Sequence, residues 1–291
     1  MRVTPLFIFV ILGIFWAQMS YATTTKQSQK RIAKPLVQSA PIDKAIDYIR
    51  FGEARLRGTS TQSVMRMTIR RPSFTRTLKI RSWSRGTDQA MVEILNPAKE
   101  EGVSSLRNEG QMWNYLPKTD QVVRVPTSLM LQSWMGSDFT NDDLMKASSL
   151  VRDYRHSIVK YGVLDKERVI QILCVPKPNA PVVWGKIVYF ARTSDKLPVR
   201  EAYYDEKGKL VRTLFMDHFK KMDDRVVPSQ ITVKKADGSN ESTTVIYEKI
   251  LYDREVAESV FNRDQLRKNA QEGKVVTAGW MFRHLPDSWF H

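Results

Sequence analysis

The sequence predicts an α+β domain built on one large, curved antiparallel sheet with few and short helices. Three observations predict it. From Met65 onward, apolar residues recur with period two through most of the chain, the signature of strands with one buried face. Turn signals (Asn96-Pro97, Pro117-Lys118, Lys207-Gly208 and Asp237-Gly238) separate the runs, as hairpin connections would. Helical periodicity is confined to a few brief segments, so little helix is available to plug the concave face of such a sheet. This leans toward a cavity, with a filled core as the simple default.

The elements follow in chain order. Arg2 precedes a twelve-residue apolar run, residues 6–17 (LFIFVILGIFWA), and Ser20-Tyr21-Ala22 places small residues where a signal peptidase reads. Residues 1–22 are expected to be a signal peptide cleaved near Ala22, leaving a soluble periplasmic product. The alternative is an uncleaved anchor, for which the run is short. Residues 23–41 carry Lys26, Lys30, Arg31 and Lys34 with no acid, and read as a flexible basic linker or as an arm that touches a membrane. Ile42, Ala45, Ile46 and Ile49 fall at helical spacing after Pro41, giving an amphipathic helix to about Glu53.

Met65, Met67 and Ile69 then alternate with Arg66, Thr68 and Arg70. Arg71-Pro72-Ser73 breaks the run, and Leu78 and Ile80 alternate with Lys79 and Arg81. This is a hairpin with one apolar and one cationic face. Further strand-like runs occupy residues 89–95, 111–116, 121–125, 154–161, 168–175, 186–191, 200–204, 210–219, 229–235 and 243–252. Residues 128–135 (SLMLQSWM) before Gly136 read as a short apolar helix. Thr140-Asn141-Asp142-Asp143 reads as a capping box opening a second one. Residues 264–272 form a last short helix, so 42–272 is a single domain and 273–291 a C-terminal tail.

The residue inventory excludes several classes of function. The chain has 291 residues, with 46 Lys and Arg against 31 Asp and Glu. Its one cysteine, Cys174, rules out a disulfide framework and a cysteine metal site, and lies in an apolar run as a buried small hydrophobe. None of the four histidines sits at metal-ligand spacing, and no GxSxG, HExxH, Walker A or GxGxxG motif occurs. The adjacent acids Glu100-Glu101 and Asp223-Asp224 make no acid/base dyad. The carboxylates of residues 136–144 do not follow an EF-hand, and capping explains them. No enzyme, metal or cofactor is expected.

The net charge of +15 belongs to an exported chain. Its anionic partners are then lipid headgroups, lipopolysaccharide phosphates or acidic protein faces rather than nucleic acid. The cations from Arg55 to Arg85 are unbroken by any acid, and Arg66, Arg70, Lys79 and Arg81 are the candidate docking face for a membrane or partner. A solvated strand face that discourages edge aggregation explains the same charges. Met65, Met67, Met91, Met112, Met130, Met135 and Met145 cluster in sequence with Trp83, Trp113 and Trp134. Methionine suits a surface that accepts variable apolar shapes, and ordinary core packing also explains it.

Several runs carry a family resemblance over residues 43–268. They are Arg57-Gly58, Ile94-Leu95-Asn96-Pro97, Met112-Trp113-Asn114-Tyr115-Leu116-Pro117 and Val123-Arg124-Val125-Pro126. The most specific is Trp134-Met135-Gly136-Ser137-Asp138-Phe139-Thr140-Asn141-Asp142-Asp143-Leu144. With these the chain resembles the outer-membrane lipoprotein-sorting (LolA/LolB-like) superfamily, in its periplasmic, transporter-associated branch. The resemblance implies an incomplete β-barrel whose concave face is covered by short helices, and a carrier of lipoprotein acyl chains or lipids working with an inner-membrane export transporter. The missing lipidation cysteine resembles the soluble carrier rather than the anchored acceptor. Met65, Met67, Ile69, Leu78, Ile80, Met91, Trp113, Leu129, Met130 and Trp134 are the expected lipid-binding set. The competing expectation is an envelope module that docks through its basic face, to an anionic membrane surface or an acidic partner, and carries no cargo.

Overall fold

The computed structural model describes residues 42–145, 150–180 and 182–271. The expected signal peptide, basic linker and C-terminal tail lie outside these residues. Helix α1 (Ile42–Arg57) opens the described chain. Its Ala45 and Ile49 are fully buried. It ends at Gly58, whose positive φ of 61° lets its N–H reach the Ala54 carbonyl at 2.9 Å.

Six strands follow: β1 (Ser60–Arg70), β2 (Thr75–Arg85), β3 (Gln89–Asn96), β4 (Ser104–Asn108), β5 (Gln111–Leu116) and β6 (Gln121–Arg124). A connecting segment carries α2 (Asn141–Met145) and leads to α3 (Leu150–Asp153). The chain continues through β7 (Tyr154–Leu164), β8 (Glu167–Pro176), β9 (Lys186–Arg192), β10 (Pro198–Tyr204), β11 (Leu210–Met222), β12 (Arg225–Lys235) and β13 (Ser242–Tyr252), and then α4 (Arg263–Gln271).

All strands of the described residues join one thirteen-stranded antiparallel sheet in the order β6-β5-β4-β3-β2-β1-β13-β12-β11-β10-β9-β8-β7. Each hairpin adds a strand beside its predecessor, and β13 returns to pair with β1 in the middle. Strands β6 and β7 remain separate edges, so the barrel is incomplete, as expected. Helix α1 packs on the β7–β12 half of the concave face, where Ile170, Ile172, Ile187 and Tyr189 receive it. The segment between β6 and α2 packs on the β1–β5 half through Trp134. On the outer face of β2–β5, Val256, Val260, Phe261 and Leu266 cover Trp83, Met91, Leu106 and Tyr115.

One strand is added to the expected set and one local expectation is corrected. Strand β4 has no period-two signal in its sequence Ser-Ser-Leu-Arg-Asn, because both of its faces are covered. Residues 128–135 do not form one helix; two 3-10 turns, Thr127–Leu129 and Trp134–Gly136, are joined by a turn at Met130 and Leu131 and a single bridge residue, Ser133. The reason lies in the hydrogen bonds. The Gln132 carbonyl accepts from Asn141 N–H at 3.0 Å and Trp134 N–H donates to Phe139 O at 2.8 Å. The segment thus pairs with its own return instead of coiling. Met130 and Trp134 accordingly do not share a helical face.

Gly52 sets how closely α1 approaches the sheet. A Cβ there would lie 2.3 Å from the Tyr189 hydroxyl oxygen. Gly52→Ala is therefore expected to lose about 1–3 kcal/mol in urea unfolding, the usual cost of overpacking. Adding Tyr189→Phe, which removes the obstructing oxygen, should restore much of the loss.

Candidate functional site

The register of the sheet arranges the concave face in rows. Met65 faces Ile80, which faces Ile94, and Met67 faces Leu78 in the next row. On the other side of the midline, Tyr247 is abreast of Met65 and Val245 of Met67. These rows and the covering segments enclose a cavity of about 450 Å³, bounded by Met65, Met67, Ile80, Trp134, Phe139 and Tyr247 among others. That volume is within the ~300–1,000 Å³ of small-molecule sites. Side chains do not fill the space.

The segment above the cavity is a lid fastened to the sheet by side chains. The Trp134 indole N–H donates to Ser105 Oγ at 3.0 Å. Arg71 donates to Asp138 Oδ2 at 3.1 Å and to the Gly136 carbonyl at 2.7 Å. Thr243 Oγ1 donates to Asp138 Oδ2 at 2.7 Å and accepts from Asp138 N–H at 2.9 Å. Arg76 donates to Met135 O at 3.0 Å.

The tightest fastening joins Arg212 on β11 to Asp143 on α2 by two bonds of 2.6 Å each. The Arg212 guanidinium lies 4.8 Å from the Trp184 ring centre and 4.7 Å from that of Tyr203. Asp143 also closes the expected capping box, accepting Thr140 N–H at 2.8 Å while its own N–H donates to Thr140 Oγ1 at 3.2 Å. Burial alone would raise the Asp143 carboxyl, but the Arg212 and Thr140 bonds outweigh it and hold the group below the ordinary carboxylate range.

Glu201 on β10 also borders the cavity. Burial pushes its carboxyl up, the bond from the Tyr203 hydroxyl opposes this, and the charge of Glu53 adds to the rise. An acid of this kind inside an apolar space costs stability when ionised.

The expected lipid-binding residues divide into three groups. Met65, Met67, Ile80 and Trp134 border the cavity. Ile69 and Leu78 are buried in the apolar cluster around Trp134, and Leu129 and Met130 are half-buried in the lid, Met130 against that cluster. Met91 and Trp113 point the other way, into the outer-face cluster, since Met91 is abreast of Trp83 and Trp113 abreast of Leu106.

Among the expected docking cations, Arg66 and Arg70 are exposed and Lys79 is half-buried. Arg66 pairs with Glu248 at 3.0 Å. Arg81 is not on an open surface: it is buried, bonded to Glu93 at 2.8 Å and stacked 4.8 Å from the Trp83 ring centre. Cys174 is buried, and burial pushes its thiol up, away from nucleophile chemistry.

Sequence reasoning missed Leu214, Ile231, Val245 and Tyr247, which border the cavity from the second half of the sheet. Their period-two alternation was visible, but the return of β13 to β1 was not. The pairing of Arg212 with Asp143 carries no local signal, since the two are far apart in the chain.

A curved open sheet with a fastened lid over an apolar cavity defines the class of fold, and comparison with known proteins agrees. A protein-family model described as "Uncharacterized protein" matches residues 86–268, and no curated protein matches the chain. An outer membrane lipoprotein-sorting protein domain from Vibrio parahaemolyticus is similar at 20% identity and a TM-score of 0.69, covering 78% of this chain and 100% of its own. A DUF1329 family protein from Desulfovibrio piger is similar at 23% identity and a TM-score of 0.71, with coverages of 78% and 100%. A LolA superfamily protein from Nitrosomonas europaea is similar at 19% identity and a TM-score of 0.65, with coverages of 76% and 98%. The chain belongs to the family of the matching model, and its fold is that of the LolA-like lipoprotein-sorting superfamily.

Glu201 yields a pH-dependent expectation. Its folded-state pKa is raised, so the folded chain binds more protons than the unfolded one between the unfolded value, about 4.3, and the folded value. Stability contributed by this group therefore falls as pH rises through that window. Glu201→Gln should be more stable than the parent at pH 7, and the difference should vanish below about pH 4. Urea midpoints across the pH range measure it.

Proposed function

We propose that the chain is an exported carrier that shields acyl chains of lipoproteins or lipids and passes them between membrane-associated export components. One observation carries this reading: an unfilled, mostly apolar cavity of about 450 Å³ lies under a lid that is fastened to the sheet mainly by side chains. Each buried methylene contributes about 0.8 kcal/mol, so a sixteen-carbon chain gains on the order of 10 kcal/mol from such shelter. The fastening bonds can be exchanged for water without disturbing a strand ladder, which suits a lid that opens for loading and release.

The rest of the carrier reading is consistent with this core. The apolar N-terminal run supports export, and no helix of the described residues is long and apolar enough to cross a membrane. Arg66, Arg70 and Lys79 face outward on β1 and β2. Burial first, and then the nearby charge of Lys79, hold Lys249 below the ordinary lysine value, with Glu248 opposing. That face suits an anionic membrane surface or an acidic face of an inner-membrane export transporter at the moment of transfer.

Lipid extraction and mass spectrometry of protein purified from periplasm without detergent test the reading. A stoichiometric acylated species is expected, and an empty extract from folded protein would sink it. Met65→Glu, a charge placed on the cavity wall, should remove the co-purifying lipid while leaving the circular dichroism unchanged. Asp143→Asn leaves Arg212 without its ionic partner. Breaking such a pair costs about 3–5 kcal/mol, so the variant should be less stable and should release lipid to acceptor vesicles faster.

A further inference from the structure

The concave face of β1–β4 changes character along the strands. Farthest from the lid, Thr61, Ser84, Ala90 and Arg107 stand abreast on four successive strands. The next row holds Ser63, Ser82, Val92 and Ser105. Beyond these come the rows of methionine, isoleucine and leucine under Trp134. Thr61, Ser63, Ser82 and Ser84 all border the cavity. A purely apolar cargo needs no such end.

Two guanidiniums belong to this end. Arg57, the last residue of α1, borders the cavity, and its carbonyl accepts from Thr61 Oγ1 at 2.6 Å. Arg107 is only 6% exposed. Burial first, then the charge of Arg57, push the Arg107 guanidinium down to about 10, with Asp88 partly offsetting. Two like charges are thus held within mutual reach on a sheltered, hydroxyl-bearing surface. Phosphate matches the planar, multidentate donors of arginine and accepts further bonds from hydroxyls. One turn before Arg57, Glu53 also borders the cavity, and its charge reaches Glu201 across it. The same end therefore presents both signs of charge.

We infer that this end of the cavity is a head-group subsite for a phospholipid bearing both a phosphate and an ammonium. Arg57 and the Ser84 hydroxyl face the phosphate, Arg107 adds its charge from the same row of the sheet, Glu53 faces the ammonium, and the acyl chains run along the methionine rows toward Trp134. The inference deepens the carrier reading and rests on it.

Calorimetric titration of the full exported chain with short-chain phosphatidylethanolamine, short-chain phosphatidylglycerol, a long-chain alcohol and inorganic phosphate tests it. Phosphatidylethanolamine should bind most tightly. Arg57→Gln should weaken both phospholipids by about tenfold or more and leave the alcohol unaffected. Glu53→Gln should abolish the preference for phosphatidylethanolamine over phosphatidylglycerol. Ser84→Ala, a mild change on the cavity wall, should weaken the phospholipids in the same sense, which keeps the test open if Arg57→Gln does not fold.

Phospholipid binding by Arg57→Gln equal to the parent would overturn the subsite while alcohol binding kept the carrier reading intact. Inorganic phosphate that binds alone and displaces the phospholipid would make free phosphate the ligand and overturn the lipid assignment. Failure of every amphiphile to bind would remove the carrier reading and the subsite with it.

Discussion

The ladder between β1 and β13 is the constraint on which the rest of the molecule depends. It pairs Thr61 with Tyr252 and Arg70 with Ser242, joining two successions of hairpins that otherwise meet nowhere in the sheet. Without it, β1–β6 and β7–β13 would be separate sheets, each with an exposed apolar face. With it, Met65 and Met67 come from one half, Tyr247 and Val245 from the other, and the cavity lies along the seam. The bulge between Val64 and Met65 is in this same ladder. A bulge bends a strand and increases its twist, which gives an open sheet its concavity.

The two faces of the sheet do different work, and their chemistry follows. The inner face combines apolar rows with a small set of buried polar groups, most of which have a named partner: Arg212 with Asp143, Thr243 with Asp138, Trp134 with Ser105. The outer face is split. Over β2–β5 it is a second core closed by Val256, Val260, Phe261 and Leu266, and over β1 and β13 it exposes Arg66, Arg70 and Glu248. One sheet thus supplies a packed layer for stability, a hollow layer for cargo and a charged surface for contact.

What the sequence could convey follows from which faces are covered. Hairpin strands with one wet face, such as β1 with Met65, Met67 and Ile69 set against Arg66, Thr68 and Arg70, announce themselves by alternation. Strand β3 carries Met91, Val92 and Ile94, and both of its faces are covered, so nothing local says that Val92 looks inward and Met91 outward. The same ambiguity placed Trp113 on the cavity side. Arg81 read as a surface cation because its partner Glu93 lies on the next strand. The capping box at Thr140–Asp143 was legible because it is local. The second task of its aspartate, holding Arg212, depends on a tertiary contact that no spacing reveals.

The lid has a consequence for how the molecule moves. Its backbone hydrogen bonds, Trp134 to Phe139 and Asn141 to Gln132 among them, close within the segment itself. Beyond Val125, whose N–H donates to the Met112 carbonyl on β5, its ties to the sheet run through side chains. A segment bonded this way can lift as a small cooperative unit, and its opening free energy is independent of the energy that holds the strands together. Amide protons of the lid would then exchange with solvent deuterium through a local event, while those of the β1–β13 ladder wait for global unfolding. Selection can adjust the lid's dwell time by changing Asp143, Arg71 or Thr243 and leave the thermal endurance of the barrel to the residues of the seam.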